Sequence, residues 1–451
     1  MNRWLRRILV GASLVLAVYA VLMIGSLAVR HQAWWNSGSM WMALGWSGLL
    51  AGVAWRGSMQ ARFRWVLLLL LFLGLEVVLE GLAWAGLLPF VSTDVRTPYG
   101  RVYWNAEGHG NAIRNRYGWH YPNFNFEAAR RIAVIGDSQV EALEVCRGCN
   151  QAAGLQALLQ AQAPDSAVFA LGHHGTAPAY YLEVLDYARR HVRPQEVILV
   201  LSLGSDISES EPELKPQARV GQYIYYDTTP AGELKLVPGG EGVLDQFRRN
   251  IEMSHQPLAL ALPYTINSHL MSVQLIRSAR DRLEQRHRLA ALAARRQVTD
   301  DQAQAEFSRI GFNSAPFALE PGAPVRHAMT VVAAELRRCR GMCETNGIKL
   351  RLVLLPAFPK AFYDSQHGKD WTMQIGRYDY LKPERELVEF ARTNGISVLP
   401  MGDYIRGHGL SVEEIRSLYF SGGVGHLTEK GHQFYAQAIF ETFYREQPAV
   451  K

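Results

Sequence analysis

The sequence predicts an α/β fold: a parallel sheet covered on both faces by helices, preceded by transmembrane helices. Three observations predict it. Short apolar runs rich in β-branched residues recur along the chain, each followed by a stretch that suits a helix. Small and polar residues punctuate the ends of those runs. Residues 1–90, finally, hold three apolar runs bordered by arginines.

The chain has 451 residues, 4 cysteines and a formal net charge of +6. That length accommodates a large domain plus added segments. A basic balance on a folded surface would point to a polyanion. Here much of the charge flanks apolar runs, and no nucleic-acid partner is implied.

The first apolar run, Ile8 to Val29, is uncharged and flanked by Arg6, Arg7 and Arg30. It is long enough to cross a bilayer. A second run, Met40 to Trp55, is shorter, and a third, Trp65 to Phe90, is Leu-rich. Arginines precede the first (Arg3, Arg6, Arg7) and separate the second from the third (Arg56, Arg62, Arg64). The positive-inside rule then sets the N-terminus in the cytoplasm and, after three crossings, residues 91–451 outside. A cleaved signal peptide is the alternative for the first run, but no small-x-small site precedes the bulky HQAWW. Trp34, Trp35, Trp41, Trp46 and Trp84 suit interfacial belts. Glu76 and Glu80, one turn apart in the third run, either contact a membrane partner or pair within the helical bundle.

Residues 91–130 lack periodicity and read as loop packed over the domain. The run Arg131 to Ser138, RIAVIGDS, reads as a buried strand broken by Gly136 and Asp137, with a helix-compatible stretch after it. Helices follow at Gln151 to Gln162 and Ala179 to His191, with strands at Ser166 to Leu171 and Glu196 to Leu203. The pattern resumes with a helix over Val325 to Asn346, a strand over Lys349 to Leu355, and a helix over Glu384 to Asn394. A short strand, Ser397 to Pro400, and a last helix, Thr428 to Arg445, complete five strands. Between the halves lies an insertion at about 207–324. It holds a hairpin, YIYYDTTPAGELKLV, and a charged helical stretch at 270–297 whose basic run reads as a solvated face rather than a polyanion track.

Ligands of open parallel sheets bind at the C-terminal ends of the strands. Three turns there carry small or polar residues: Gly136-Asp137-Ser138, Gly172-His173-His174-Gly175 and Gly204-Ser205-Asp206. A fourth segment, SGGVGHLTEKGH, brings His426 just ahead of Thr428, a helix N-cap. A serine on a tight strand-to-helix turn is held out of the core beside free backbone N–H groups, where a nucleophile belongs.

In these residues the chain resembles the SGNH/GDSL hydrolase family, over roughly 91–206 and 325–446. The resemblance implies a three-layer α/β/α sandwich of flavodoxin-like type. It makes Ser138 the nucleophile and His426 the general base, with Ser138, Gly175 and Ser205 as the oxyanion hole. Asp137, His173, His174 and Asp206 are accessory positions in the same turns. The two histidines line a polar cleft, assist in acid–base work, or hold a metal. Two blocks depart from the family pattern. Ser205 stands where the third block has asparagine, and Gly423 where the last block has the aspartate that orients the histidine.

Cys146 and Cys149 form a CxxC that suits a local bridge outside the cytoplasm, and Cys339 and Cys343 lie on the apolar face of a helix as buried thiols. A four-cysteine zinc site is disfavoured because the two pairs fall at opposite ends of the sheet. No metal or cofactor is expected. The sequence thus reads as a bacterial inner-membrane protein with a periplasmic SGNH-like domain, an esterase or O-acyltransferase acting on acyl esters of an envelope or secreted polysaccharide. A membrane-bound acyl donor or a polysaccharide-export complex is the partner this implies. The rival is a catalytically degenerate domain serving as a polysaccharide-binding or assembly module.

Overall fold

The computed structural model describes residues 1–29, 38–88, 96–104, 107–214, 223–280, 283, 315–357, 374–375, 378–420 and 425–445. Three helices open the chain: α1 (Asn2–Val29), α2 (Gly38–Arg56) and α3 (Met59–Trp84). Among the described residues, Asn2–Leu22 of α1 and Met59–Trp84 of α3 are long and apolar enough to cross a membrane. The second expected run falls within α2, which has 19 residues and packs antiparallel to α1. Ser13 and Ser47 stitch the two together, each hydroxyl donating to the other's carbonyl at 2.8 Å. Such small hydroxyl residues let helix backbones approach closely. The third run ends its helix at Trp84; residues 89 and 90, like Arg30, Trp34 and Trp35, lie outside the described residues.

The lead-in before the first core strand is more than loop. It forms an antiparallel hairpin, β1 (Arg101–Trp104) and β2 (Gly110–Ile113), with Trp104 opposite Gly110. Arg96, Arg114 and Trp119 beside it are fully buried. Strands this short leave no periodicity to read, and buried guanidiniums look like surface charge in a sequence.

The core follows the expected alternation. Its elements are β3 (Arg130–Gly136), α4 (Ser138–Glu141), α5 (Gln151–Gln162), β4 (Ser166–Gly172), α6 (Pro178–Tyr187), β5 (Glu196–Ser202) and α7 (Asp206–Glu209). In the insertion come a hairpin, β6 (Tyr226–Thr228) and β7 (Leu234–Leu236), as expected, and helices α8 (Glu241–Ile251) and α9 (Leu258–His269). Residues 271–280 are helical too. Of the expected charged helix over 270–297, residues 281–282 and 284–297 lie outside the described residues. The second half adds α10 (Ala323–Thr345), β8 (Lys349–Leu355), α11 (Lys382–Thr393), β9 (Ser397–Pro400), α12 (Met401–Gly407), α13 (Val412–Ser417) and α14 (Glu429–Phe443).

The five strands form one parallel sheet in the order β9-β8-β5-β3-β4. This is the flavodoxin-like order, and the α/β sandwich expected from the sequence is what the chain adopts. All seven residues of β4 and of β5 are buried, as a sheet covered on both faces requires. Helices α5 and α14 pack together on one face, α6 and α10 on the other. Strand order reverses between β3 and β5, so the crevice of the sheet opens beside the turns that carry Ser138 and Ser205.

Cys146 and Cys149 are bonded, with an S–S distance of 2.01 Å. Cys339 and Cys343 are buried free thiols in α10.

Candidate active site

Asp137 ends β3 and caps α4 by accepting the Gln139 N–H at 2.9 Å. This places Ser138, half-buried, as the first residue of the turn. The helix that follows is a single turn, closed by Ala142 in a left-handed conformation. Individual backbone N–H groups, rather than a helix dipole, are therefore what Ser138 has beside it.

His426 is carried to the same place by Gln139. The Gln139 side chain donates to the Gly425 carbonyl and accepts the Leu427 N–H, each at 3.1 Å, on either side of His426. Thr428 then caps α14 as expected, accepting the Gly431 N–H at 3.1 Å. The residue next to the serine thus grips the backbone that holds the histidine.

The imidazole is oriented by two carboxylates. Nδ1 of His426 lies 2.9 Å from Glu107 Oε2 and 3.0 Å from Glu144 Oε1, and Glu107 Oε2 also accepts the His426 backbone N–H at 2.8 Å. Ionised carboxylates only accept, so Nδ1 carries a proton in either charge state of the ring. The sequence expectation was a missing orienter, at Gly423. That position lies outside the described residues; the orienting carboxylates come instead from the β1–β2 turn and from the segment after α4. A Cβ added at Gly110 would sit 1.5 Å from the Leu143 carbonyl oxygen, so the hairpin presses on the very segment that supplies Glu144. Gly425, at φ +116°, would drive a Cβ to 2.6 Å from Glu107 Oε2. Only glycine fits there. Trp104 closes one side, its ring edge-on to His426 at 5.7 Å between centroids and 6.5 Å from His174.

Burial works against charge on His426, but the bonds to Glu107 and Glu144 prevail and hold it up to about 10. Burial raises Glu107 in turn, and its bonds to His426 bring it below the usual carboxylate range. Burial pushes Asp137 up to about 6.

The other expected residues fall around this pair. The Ser205 hydroxyl lies 3.4 Å from both Asp137 Oδ2, in the turn that carries Ser138, and the Ser202 carbonyl, in its own. Asp206 lies beneath the cleft with no exposure, accepting from Tyr181 Oη at 3.0 Å and the Ser202 N–H at 2.8 Å. Gly175 is exposed at φ +65°, with open space about it.

His174 and His173 stack at 5.2 Å. His174 Nδ1 and its backbone N–H both reach Glu141 Oε2 at 2.7 Å, while Glu141 Oε1 lies 3.0 Å from Arg96 and 3.3 Å from Arg114. Burial, with Arg96 and His174 beside it, holds His173 well below the usual histidine range, hence neutral. Glu141, His173 and His174 have ligand atoms close enough to share a metal ion. The donor set does not suit one: both Glu141 oxygens are taken, and two buried guanidiniums would repel a cation.

No family model and no curated protein matches the chain. Solved structures similar to it include one described as TesA, at 11% identity and a TM-score of 0.32, covering 70% of this chain and 98% of its own. Another is a member of the lipolytic protein G-D-S-L family from Veillonella parvula DSM 2008, at 12% identity and a TM-score of 0.31, covering 70% of this chain and all of its own.

Proposed function

We propose that this protein is a membrane-anchored serine esterase or O-acyltransferase whose domain faces the periplasm and whose substrates are acyl esters, acetyl foremost, of an envelope or secreted polysaccharide. One observation carries the catalytic part. A histidine with two carboxylates on Nδ1 is bound, through Gln139, to the residue following a serine on a strand-to-helix turn. That is the nucleophile, base and orienter set of acyl transfer.

In this reading His426 Nε2 takes the Ser138 proton as Ser138 Oγ attacks the ester carbonyl. The backbone N–H groups of Ser138 and Gly175, with the Ser205 hydroxyl, stabilise the oxyanion. Collapse of the tetrahedral adduct expels the alcohol, which takes the proton from His426 and leaves an acyl-serine. Water, or a sugar hydroxyl, then attacks the acyl-serine with His426 again accepting the proton; collapse of that adduct breaks the acyl–Oγ bond, returns the proton from His426 to Ser138 Oγ and releases the acid or the new ester. The polysaccharide is the part motivated by anchoring and by the family resemblance rather than by a contact.

The test is covalent labelling of the full chain by a fluorophosphonate probe, with Ser138→Ala as control, between pH 7 and pH 10. Labelling lost in the variant is the expected result. A folded protein that stays unlabelled throughout favours the second reading, a polysaccharide-binding module, toward which Ser205 and Gly423, in place of the family's asparagine and aspartate, point.

A further inference from the structure

We infer that the insertion's helical segment 258–280 is sunk into the outer leaflet of the membrane, its exposed face in contact with lipid. The inference rests on the reading of α1 and α3 as membrane-spanning.

The segment is bonded to both helices. Tyr19 Oη of α1 donates to Asn267 Oδ1 at 2.8 Å, and Asn267 is buried there. Glu76 of α3 accepts the backbone N–H groups of Met271, at 2.8 Å, and Ser272, at 3.3 Å, as helix 271–280 begins. One turn further along α3, Glu80 pairs with Arg101 of β1 at 2.5 Å. The two acidic residues that looked stranded in an apolar helix thus hold the folded domain. An unsatisfied helix N-terminus in hydrocarbon is costly, and a carboxylate supplies what its N–H groups lack.

The two helices give the depth independently. The cytoplasmic arginines end at Arg7 on α1 and Arg64 on α3. Tyr19 stands twelve residues past the first, and Glu76 twelve past the second. Twelve residues of α-helix rise about 18 Å. The hydrocarbon core is about 30 Å thick, so both contacts fall inside its outer half, and tilt only lowers them.

What the segment exposes suits that depth. Ile276 is 69% exposed and Ile266 37%, and on α3 Val77 and Val78 are exposed at 71% and 58%. Met271 and Leu275 pack with Leu79 and Ala83 of α3, which joins the segment to the apolar spanning helix. Arg277 and Arg280 follow on the same segment, with side chains long enough to reach headgroups. Its two helices satisfy their own backbone, and at the break between them Glu76 accepts the Met271 and Ser272 N–H groups, which meets the condition for entering a bilayer.

The test uses the full chain in lipid nanodiscs, in a Cys339→Ala/Cys343→Ala background. An environment-sensitive fluorophore is placed at Ile276→Cys, at Leu71→Cys on the exposed face of α3, or at Lys349→Cys at the opposite, N-terminal end of the sheet. Lipids with a nitroxide quencher on the acyl chain report depth. Loss of fluorescence at 276 matching that at 71, with 349 unaffected, is the expected result. Loss at 71 but not at 276 overturns the inference and leaves the spanning reading intact. Loss at neither overturns the spanning reading, and the inference with it.

Discussion

Two histidine–carboxylate contacts lie within the same cleft and differ in what balances them. At Glu141, one oxygen meets two buried arginines and the other meets His174. Burial opposes that negative charge, but Arg96, then His174, hold Glu141 well below the usual carboxylate range. At His426, two carboxylates converge on one imidazole, no arginine among the described residues pairs with them, and the histidine itself is drawn up to about 10. The bond is the same in both places. Where guanidinium is the counter-charge, the network braces the fold; where imidazole is, the network holds the ring of the proposed base. A fourth carboxylate has neither: Glu335 in α10 is buried, both oxygens lack a hydrogen-bond partner among the described residues, and burial pushes it up to about 8.

The comparison breaks or sharpens by substitution. Replacing Glu107 and Glu144 together by glutamine removes both orienters, and turnover is expected to fall by about 10⁴, as loss of the orienting aspartate does in serine proteases. Unchanged turnover would mean that neither carboxylate acts on His426. Glu141→Gln is next: it leaves two buried guanidiniums uncompensated, an expected loss of about 3–5 kcal/mol of stability in urea melts, with the pH-rate profile unmoved. Glu335→Leu removes an unpaired buried carboxyl. Its folded-state value lies above its unfolded one, so wild type loses stability as pH rises from the ordinary carboxylate range through about 8. The variant is expected to gain about 1–3 kcal/mol, accruing as pH rises from the ordinary carboxylate range to about 8 and constant above it. The smallest effect is Glu107→Gln alone. The rising limb of kcat/KM, set by His426 losing its proton, is expected to move from about 10 in wild type to lower pH by about one unit. Stability carries the matching sign. The His426 contribution is fully present below the unfolded histidine value and is lost as pH rises through about 10, so wild type falls more steeply there than the variant.

What could be read beforehand was local. The core strands, the hairpin within 223–237, the Thr428 cap and the Cys146–Cys149 bridge each depend on residues a few positions apart. What could not be read was relational. Glu107 sits in a stretch without periodicity and meets His426 across 319 positions. Glu144 follows a helix that stops after one turn. The one signal within reach was an acidic residue in a glycine-rich turn, Glu107-Gly108-His109-Gly110, between segments able to pair as strands. Glu76 and Glu80 were legible as misfits in an apolar helix, but their partners on the insertion and β1 were not.

By itself the sequence determined the α/β alternation, the apolar helices and the turns that expose Ser138 and His426, because hydrophobic period and turn chemistry act through neighbours in the chain. Only the tertiary structure decided which carboxylate faces which cation. Charge pairing falls off with distance in space and takes no account of distance along the chain, so the same residue type braces a core at 141, bonds an imidazole at 107 and stands unpaired at 335.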